Sequence, residues 1–387
     1  MSDIVFHGYA RPNGRAGVRN HLLVLSVAGL TGPAARRVAQ ALPGARLVSM
    51  PYGGGLIGAD HALHLRTLQG LACNPNVGAV LLIGSDPPKL RTLAQAIAAH
   101  GTPLASVCLD DCNHDILSLN DRALRAGAAL HHALSRQRRV PLPLSQLFIG
   151  LECGRSDPSS GIVANPLIGR LTDAVIAHGG SAVFGEALEW LGAEHLLTRR
   201  AATPAVAEAL QQAVLRRERL AADQGVDLLG NNPGPTNIAA GLSTIEEKSL
   251  GAIAKSGSAP IAGVLEYGQA PGAPGLYAMD APAYSPESLT GFVASGAQLL
   301  LFSTGVGNSY VSQLAPTIKL SANPVATQRL REQLDFDASA VFLGGCTLDD
   351  AARDLLEQLV DIASGSLTWG EVLDEGDEVV SRLGEAL

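Results

Sequence analysis

A polar loop at residues 152–161 carries a dense set of reactive side chains. It contains the thiol of Cys153, the hydroxyl of Ser156 and the carboxylate of Asp157, and the amide of Asn165 follows shortly after it. The loop comes directly after the apolar run 147–151, which is typical of a buried strand. Because open α/β sheets bind ligands beyond the carboxyl ends of their strands, the loop is a candidate catalytic site. An ordinary polar surface turn is the alternative interpretation.

Three further polar loops follow apolar segments or precede helical patterns in the second half of the chain. They span residues 231–237, 279–285 and 304–309. Asn232, Asn237, Thr304 and Gly305 are the candidates in these loops for orienting a substrate or contacting an oxyanion. Loops at one edge of a parallel sheet converge, so we expect a shared crevice. Alternatively, glycine and asparagine supply only turn geometry there.

Charged residues outside these loops are candidates for proton transfer. Glu186 directly follows a predicted strand, where a carboxylate can act as a base or bind a metal. Lys248 follows two glutamates at a predicted helix start, and Lys319 lies in a short predicted strand. Because burial shifts the pKa of lysine readily, either lysine is a candidate for proton transfer or anion binding. Surface charge and helix capping are the alternatives for the segment around Lys248.

Two histidines in the first half are candidate metal ligands. His61 and His64 are three residues apart and therefore share one face of a predicted helix, next to Asp60. Histidines at this spacing are also common as unrelated surface residues. The other candidate metal ligands are Cys153, Asp157 and Glu186.

Three arginines precede the first predicted strand. Arg11, Arg15 and Arg19 lie within nine residues, and Asn20 follows them. Guanidinium groups bind carboxylates and sulfonates in a bidentate geometry, so this segment is a candidate substrate clamp. A solvated basic N-terminal arm is the alternative.

Strand-length apolar runs alternate with helical patterns along the whole chain. The run 77–83 shows no polar alternation, which is typical of parallel strands covered on both faces, and the runs 21–27 and 147–151 are further strand candidates. This order predicts an α/β protein with two Rossmann-like domains, in which mainly parallel sheets are flanked by helices. The basic, proline-containing segment 136–143 reads as a linker. We therefore expect one α/β domain over residues 1–140 and a second over 145–387, the second carrying the loop with Cys153.

Composition narrows the classes of protein that the chain can represent. Its 387 residues carry a net charge of −8, and no basic cluster indicates nucleic-acid binding. No apolar stretch reaches the length of a membrane span, and the N-terminus does not have the pattern of a signal peptide. The five cysteines are scattered, which is typical of reduced thiols in a cytoplasmic protein.

Several motifs together resemble those of the altronate/galactarate dehydratase family. The segment 8–20 (GYARPNGRAGVRN) resembles its entry motif, and ECGRSD at 152–157, then SG at 160–161 and ANP at 164–166, resembles its central signature CGxSD…SG…ANP. Further matches follow in order at 192–195, 232–233, 241–244 and 303–305. Within the family, the pattern at 52–53, 58–64, 184–186 and 244–248 is more similar to the large (β) subunit of the sulfolactate sulfo-lyase branch.

The resemblance implies a lyase that acts on a small acidic substrate. Such an enzyme removes the proton α to the carboxylate of a 2-hydroxy acid, expels the β substituent and yields a 2-keto acid. Sulfo-lyases of this branch cleave a C–S bond and release sulfite and pyruvate, whereas the sugar-acid dehydratases cleave a C–O bond and release water. The resemblance further implies a divalent metal (Fe²⁺, Mn²⁺ or Mg²⁺) and a separate small subunit. It is also compatible with a homo-oligomer.

One departure from the family leaves a competing hypothesis open. Family members usually carry cysteines in the two loops that correspond to residues 51–55 and 84–87, and this chain has none there. The chain could therefore be a non-catalytic subunit, or a binding protein for acidic metabolites.

Overall fold

A computed structural model describes residues 4–52 and 55–381 of the chain. Its strands are β1 Val5–Ala10, β2 Ala16–Gly17, β3 His21–Ser26, β4 Arg46–Ser49, β5 Val77–Gly84, β6 Leu104–Cys108, β7 Val140–Pro143, β8 Phe148–Cys153, β9 Ser181–Phe184, β10 Ile261–Leu265, β11 Leu276–Met279, β12 Leu299–Ser303, β13 Thr317–Ser321 and β14 Phe336–Asp337. Its α-helices are α1 Gly32–Ala41, α2 Gly58–Ala72, α3 Pro87–Ala99, α4 Ile116–Leu134, α5 Asn165–Ala177, α6 Glu194–Thr198, α7 Pro204–Asp223, α8 Pro235–Ala239, α9 Ile245–Ile253, α10 Ser285–Ala294, α11 Pro324–Arg329, α12 Ser339–Phe342, α13 Leu348–Ser364 and α14 Trp369–Val372.

The first half of the chain builds a four-stranded parallel sheet in the order β4-β3-β5-β6. Every residue of β5 is buried, which explains why its sequence shows no polar alternation. The chain leaves β3 toward one edge of the sheet and returns to β5 to build the other edge. The carboxyl ends of β3 and β5 therefore form a switch point, where sheets of this type bind ligands.

The second half builds a seven-stranded parallel sheet in the order β10-β11-β9-β8-β12-β13-β14. Helices cover both faces, so the predicted α/β class with parallel sheets is confirmed. Strands β10 and β11 were not expected from the sequence. The central strand β8 ends at Cys153, so the polar loop that follows it lies at the carboxyl edge of the sheet.

A small antiparallel sheet joins residues from both sides of the predicted linker. Strand β1 pairs with β2 on one side and with β7 on the other, with Phe6 opposite Leu142. The interpretation of 136–143 as a plain linker is therefore wrong for residues 140–143. The prolines of β7 are tolerated because this strand lies at a sheet edge, where a missing N–H leaves no ladder bond broken.

One apolar cluster spans the two parallel sheets. It includes Leu23 and Leu82 from the four-stranded sheet and Val183 and Leu300 from the seven-stranded sheet, all fully buried. The two sheets therefore share a continuous core rather than touching only at their surfaces. Within the described ranges, no helix is long and apolar enough to cross a membrane.

Candidate active site

A buried thiol lies at the centre of the candidate site. Cys153 is the last residue of β8, and only 3% of its surface is exposed. Its Sγ lies 3.5 Å from Oε1 of Glu186 and 3.7 Å from Oε2 of Glu189. On another side, Nζ of Lys255 lies 3.1 Å from the same sulfur. One thiol thus faces two carboxylates and one ammonium group.

Backbone geometry at the end of β9 turns Glu186 toward this thiol. Glu186 has a φ of +64°, in the left-handed region that non-glycine residues rarely adopt. The turn is held by Ala187 N, which donates to Ala281 O at 3.0 Å, and by the indole N–H of Trp190, which donates to Gly185 O at 2.9 Å. Such strain persists only where the surroundings enforce it, and it is typical of functional sites.

A second buried ion pair adjoins the first. The ammonium group of Lys248 contacts Oε1 of Glu189 and the amide oxygen of Asn232, and Nδ2 of Asn232 donates to Glu189 at 3.2 Å. Lys248 lies in the first turn of α9, where the side chain of Thr244 caps the helix by accepting a hydrogen bond from Glu247 N. This cap and the buried apolar face of α9 hold Lys248 against the sheet edge.

Lys255 comes from the 3-10 turn Ala254–Ser256 that follows α9. Its side chain is 2% exposed, and Nζ lies 2.5 Å from Oε2 of Glu186. Lys248 and Lys255 are seven residues apart, which places them on the same side of the helical segment. One segment therefore supplies both cations that neutralise Glu186 and Glu189.

Burial and these charges shift the pKa values of the group. Burial, partly offset by Lys255, raises the pKa of Glu186 to about 7. Burial also acts on Glu189, but Lys248 and Lys255 outweigh it and lower the pKa of that carboxyl. The pKa of the Cys153 thiol is raised by burial and by Glu186. Burial opposes charge on Lys248 and Lys255, yet the anionic neighbours raise the pKa of both.

The group opens into a cavity of about 760 Å³. Cys153, Glu189, Asn232 and Lys248 lie at its inner end. Arg155, in the loop after β8, contributes a further positive charge to the wall. This cavity can hold a small anion with its reacting atoms against the thiol and the Lys248 ammonium group.

Cys153, Glu186 and Glu189 are also a set of potential metal ligands. One donor atom from each lies within 4.8 Å of the other two. A thiol and two carboxylates are compatible with a divalent ion. The ammonium groups of Lys248 and Lys255 contact the same carboxylates, so an ion bound by all three donors would have to displace at least one of these contacts.

The loop after Cys153 is organised by Asp157. Its carboxylate accepts hydrogen bonds from Ser159 Oγ at 2.6 Å, Ser160 N at 3.0 Å and Asn323 Nδ2 at 2.7 Å. Asp157 is therefore engaged in holding this loop to the loop after β13, apart from the Cys153 group. A Cβ atom at Gly305 would lie 2.4 Å from Cγ of Asp157, so only glycine allows this approach.

Three other polar residues predicted in these loops, Asn165, Asn237 and Thr304, also hydrogen-bond to backbone atoms. Asn237 Nδ2 donates to Ser156 O at 2.9 Å, and Asn165 Nδ2 donates to Gly251 O at 2.9 Å. The Thr304 hydroxyl accepts a hydrogen bond from Gly307 N at 3.0 Å. Ser156, Asp157 and Asn165 line a smaller cavity of about 260 Å³, which shares Lys248 with the larger one.

The arginine segment lies away from this cavity. Arg19 is 6% exposed, forms a bidentate pair with Glu371 and donates to three backbone carbonyls. Arg11 donates to Pro75 O, to Arg19 O and to the Asn20 amide oxygen. The guanidinium group of Arg15 contacts Gly296 O at 3.4 Å. These contacts tie the N-terminal segment to the rest of the chain, and none of them leads to the Cys153 group.

Three other predicted residues lie elsewhere. His61 and His64 lie on α2, which follows β4 of the four-stranded sheet, so they do not join the donor set of Cys153 and Glu186. Lys319 is buried in β13, where its ammonium group contacts Ser309 O at 3.3 Å and Glu375 at 3.5 Å. Of the predicted metal ligands, Cys153 and Glu186 thus lie together, whereas the two histidines and Asp157 lie apart from them, and Glu189 supplies the third donor atom near the thiol.

Two central residues of the site were not singled out from the sequence. Glu189 lies in an acidic segment around Trp190, and Lys255 lies at the end of the helical pattern that begins at Ser243. A signal for Lys255 existed, since it lies seven residues after Lys248 and ends an otherwise apolar segment. That spacing predicts a shared helix side, but not which strand ends it faces.

Comparisons with known proteins place the chain in a family. Residues 8–133 match the profile of the D-galactarate dehydratase/altronate hydrolase second domain, and residues 144–386 match the D-galactarate/altronate dehydratase C-terminal profile. The chain is 38% identical to the (2R)-sulfolactate sulfo-lyase subunit beta of Chromohalobacter salexigens over 98% of both chains.

Two sugar-acid enzymes are similar over nearly the whole of this chain as well. The altronate dehydratase of Escherichia coli is 33% identical over 98% of this chain and 78% of its own length. That of Bacillus subtilis is 32% identical over 99% of this chain and 78% of its own length. The chain thus belongs to the galactarate/altronate dehydratase family and is a lyase of that family.

Proposed function

We propose that the chain catalyses β-elimination from a small 2-hydroxy acid, with C–S cleavage of a sulfolactate-like substrate as the first candidate. One observation carries this proposal: a thiol, two carboxylates and two ammonium groups are buried in contact with one another, and Cys153, Glu189 and Lys248 of this group line a cavity. Elimination requires an anion-binding surface and a group that accepts a proton from carbon. This arrangement contains both within one hydrogen-bonded cluster.

Lys248 and Asn232 are the proposed carboxylate-binding residues. Lys248 keeps its charge because Glu189 raises its pKa, so it serves as a cation rather than as a base. Its ammonium group lies at the cavity wall, where it would also stabilise the negative charge that develops on the carboxylate as the α proton leaves. Arg155, on the wall of the same cavity, is placed to attract a second anionic group such as a sulfonate.

Cys153 and Glu186 are the proposed proton-transfer pair. The thiol proton moves to Glu186, whose pKa of about 7 allows it to hold or release a proton near neutral pH. Lys255, 3.1 Å from the sulfur, stabilises the resulting thiolate. The thiolate then takes the α proton, the C–H electron pair forms the Cα=Cβ bond, and the C–S pair leaves with sulfite. The enol product takes a proton at its β carbon, loses the proton of its hydroxyl group and becomes pyruvate.

A divalent metal is a proposed addition to this site. Cys153, Glu186 and Glu189 would hold it, and when bound it would act as a Lewis acid toward the substrate carboxylate and hydroxyl. The thiol among the donors favours Fe²⁺ over Mn²⁺ and Mg²⁺, because the latter two ions prefer oxygen ligands.

Sugar-acid dehydration is the second candidate function. The cavity of about 760 Å³ has room for a six-carbon hydroxy acid as well as for a three-carbon one. The same proton-transfer pair would then expel water instead of sulfite. The similarity to two altronate dehydratases at 32% and 33% identity supports this alternative.

A small partner subunit is also proposed. The relative from Chromohalobacter salexigens is named a beta subunit, and one of the two matching profiles is named a second domain. We infer that this chain works with a separate small subunit.

A substrate panel tests the proposal. The purified chain, with and without a co-expressed small subunit, is loaded with Fe²⁺, Mn²⁺ or Mg²⁺ and assayed with sulfolactate, altronate and galactarate. Pyruvate and sulfite in equal amounts from sulfolactate would support the first function, and a 2-keto acid from a sugar acid would support the second. No 2-keto acid from any substrate in any combination would overturn the proposal.

A further inference from the structure

The cavity beside Cys153 has a second polar wall, on the opposite face of the sheet. Cys153 and Gly154 both line this cavity, but consecutive residues at the end of a strand point to opposite faces. A Cβ atom at Gly154 would lie 2.9 Å from Oγ of Ser285, at the start of α10, and 3.0 Å from Nδ2 of Asn308, in the loop after β12. Both of these residues line the same cavity, so polar groups face it from both sides of the end of β8.

Ser285 brings a hydroxyl group without a partner to this wall. The residue is 7% exposed, and its Oγ has no hydrogen-bond partner among residues 4–52 and 55–381. The oxygen keeps accessible surface of its own, so it is open to the cavity. Ser285 is also the first residue of the ten-residue helix α10, whose positive dipole end therefore lies at the cavity wall. A ligand oxygen that accepts a hydrogen bond here satisfies an otherwise unpaired buried group.

Asn308 presents a second donor beside this hydroxyl. Its Oδ1 accepts a hydrogen bond from Tyr310 N at 3.0 Å, and this bond turns the amide so that Nδ2 faces Gly154. In the part of the chain that the structure describes, Nδ2 has no partner either, and it also keeps accessible surface. Since both donors lie close to one point beside Gly154, they are at most about 6 Å apart, a span that two oxygens of one tetrahedral group bridge with hydrogen bonds of about 2.9 Å. The missing side chain at Gly154 leaves both donors uncovered.

The charges around this wall favour an anion. The carboxyl group of Glu152 faces the same side of β8 and accepts a hydrogen bond from the Ser288 hydroxyl. Burial and the nearby Glu186 raise the pKa of Glu152 well above its ordinary value, so this carboxyl holds its proton and does not repel an anion. The exposed guanidinium group of Arg155 lies on the wall of the same cavity. Donors without competing acceptors suit a group whose oxygens only accept hydrogen bonds, as those of a sulfonate do.

We propose that Gly154, Ser285 and Asn308 form the subsite that binds the sulfonate group of the substrate. This assignment rests on the function proposed above and adds the residues that select the leaving group. The substrate carboxylate binds Lys248 on one side of the end of β8, and the sulfonate oxygens accept hydrogen bonds from Ser285 and Asn308 on the other. The reacting carbons then lie across the end of the strand, next to Cys153, whose Cα is about 3.8 Å from that of Gly154. As the C–S bond breaks, the same donors stabilise the negative charge that develops on the departing sulfite.

Binding of 3-sulfopropanoate tests this subsite without turnover. The compound carries a carboxylate and a sulfonate but has no hydroxyl group, so it cannot yield a 2-keto acid. The full chain, with and without the co-expressed small subunit, is titrated calorimetrically with 3-sulfopropanoate and with propanoate. We expect 3-sulfopropanoate to bind with a Kd below about 1 mM, at least about tenfold more tightly than propanoate, since hydrogen bonds to a charged group contribute about 1.5–3 kcal/mol each.

Three variants identify the donors. Ser285→Ala removes the hydroxyl, and Asn308→Asp keeps the bond to Tyr310 N while replacing the donor by an anionic acceptor, so each should weaken 3-sulfopropanoate binding by about tenfold or more. Gly154→Ala should weaken it as well, because the added Cβ covers both donors. Ser309→Ala is the matched control, because it removes an exposed hydroxyl from the same loop and should leave binding unchanged.

The outcomes separate the subsite from the lyase function. Equal binding of the two compounds by the unmodified chain, or unchanged binding in both Ser285→Ala and Asn308→Asp, would overturn the subsite even if sulfolactate is cleaved. The expected binding pattern without 2-keto acid formation from any substrate would instead remove the lyase function and leave the sulfonate subsite in place.

Discussion

Removing the Lys255 ammonium group should make the stability of the protein depend on pH in a defined way. Lys255→Met keeps the length of the side chain but leaves Glu186 buried without its partner, 2.5 Å from where Nζ lay. Breaking a buried ion pair on one side usually costs about 3–5 kcal/mol, because one charge stays uncompensated. Glu186 can avoid that cost by taking up a proton, since its pKa is already about 7.

The size of the effect follows from linkage. In the native protein, a raised pKa of Glu186 means that the folded state holds a proton which the unfolded state has released, so stability falls as pH rises from 4.5 to about 7. In Lys255→Met the folded pKa rises further, and the fall continues above pH 7. The difference in unfolding free energy between the two proteins should therefore grow by about 1.4 kcal/mol per pH unit above pH 7, up to the new pKa.

Urea unfolding at pH 6, 7, 8 and 8.5 measures this difference. Glu378 is also buried with a pKa of about 7, but it is identical in both proteins and cancels in the comparison. Lys319→Met is the matched control, because it removes another lysine that is 1% exposed while its partner Glu375 stays partly solvated. A penalty for Lys255→Met that stays constant from pH 6 to 8.5 would refute the electrostatic account of the site.

Three further outcomes follow from the same contacts. Cys153→Ser should lower turnover of the substrate identified by the panel by about 10²–10⁴-fold with an unchanged melting temperature, whereas Cys112→Ser, a buried thiol of the first half, should leave turnover as it is. Turnover should rise with pH through about 7, because Glu186 loses its proton there. If the remaining activity of Glu186→Gln showed the same rise with pH, Glu186 would not be the titrating group. Arg19→Met should destabilise the protein by about 3 kcal/mol, because it leaves Glu371 without its bidentate partner. The KM of this variant should stay unchanged. A raised KM with normal stability would instead indicate that Arg19 binds the substrate.

Local sequence patterns were sufficient to predict the class of the fold and the positions of its central strands. The runs 77–83 and 147–151 correspond to β5 and β8, because strands of parallel sheets are buried on both faces and therefore have continuous apolar sequences. Strands β10 and β11 escaped detection because glycine, alanine and proline dominate the sequence around them. Their strand conformation depends on the pairing of β11 with β9 and of β10 with β11, which no local pattern encodes.

The candidate site was only partly accessible for the same reason. Cys153, Glu186, Asn232 and Lys248 were found because each follows a strand or begins a helix, places where ligand-binding residues concentrate. Arg19 and Lys319 were proposed as site residues but lie outside the Cys153 group, since the sequence around a charged residue gives no sign of the partner that neutralises it. That partner is Glu371 for Arg19, which lies 352 residues further along the chain.

Charge balance accounts for the composition of the Cys153 group. Above about pH 7, with the thiol protonated and Glu186 ionised, Glu186 and Glu189 contribute two negative charges. Lys248 and Lys255 contribute two positive ones, so the buried set is then neutral as a whole. Neutrality is what allows five ionisable groups to be buried together, because an uncompensated charge there would be far more costly than the pairs. It also means that a divalent ion cannot simply be added to the set. Its binding must remove a proton from Cys153 or displace an ammonium group, and in the first case the metal affinity of this site must increase with pH.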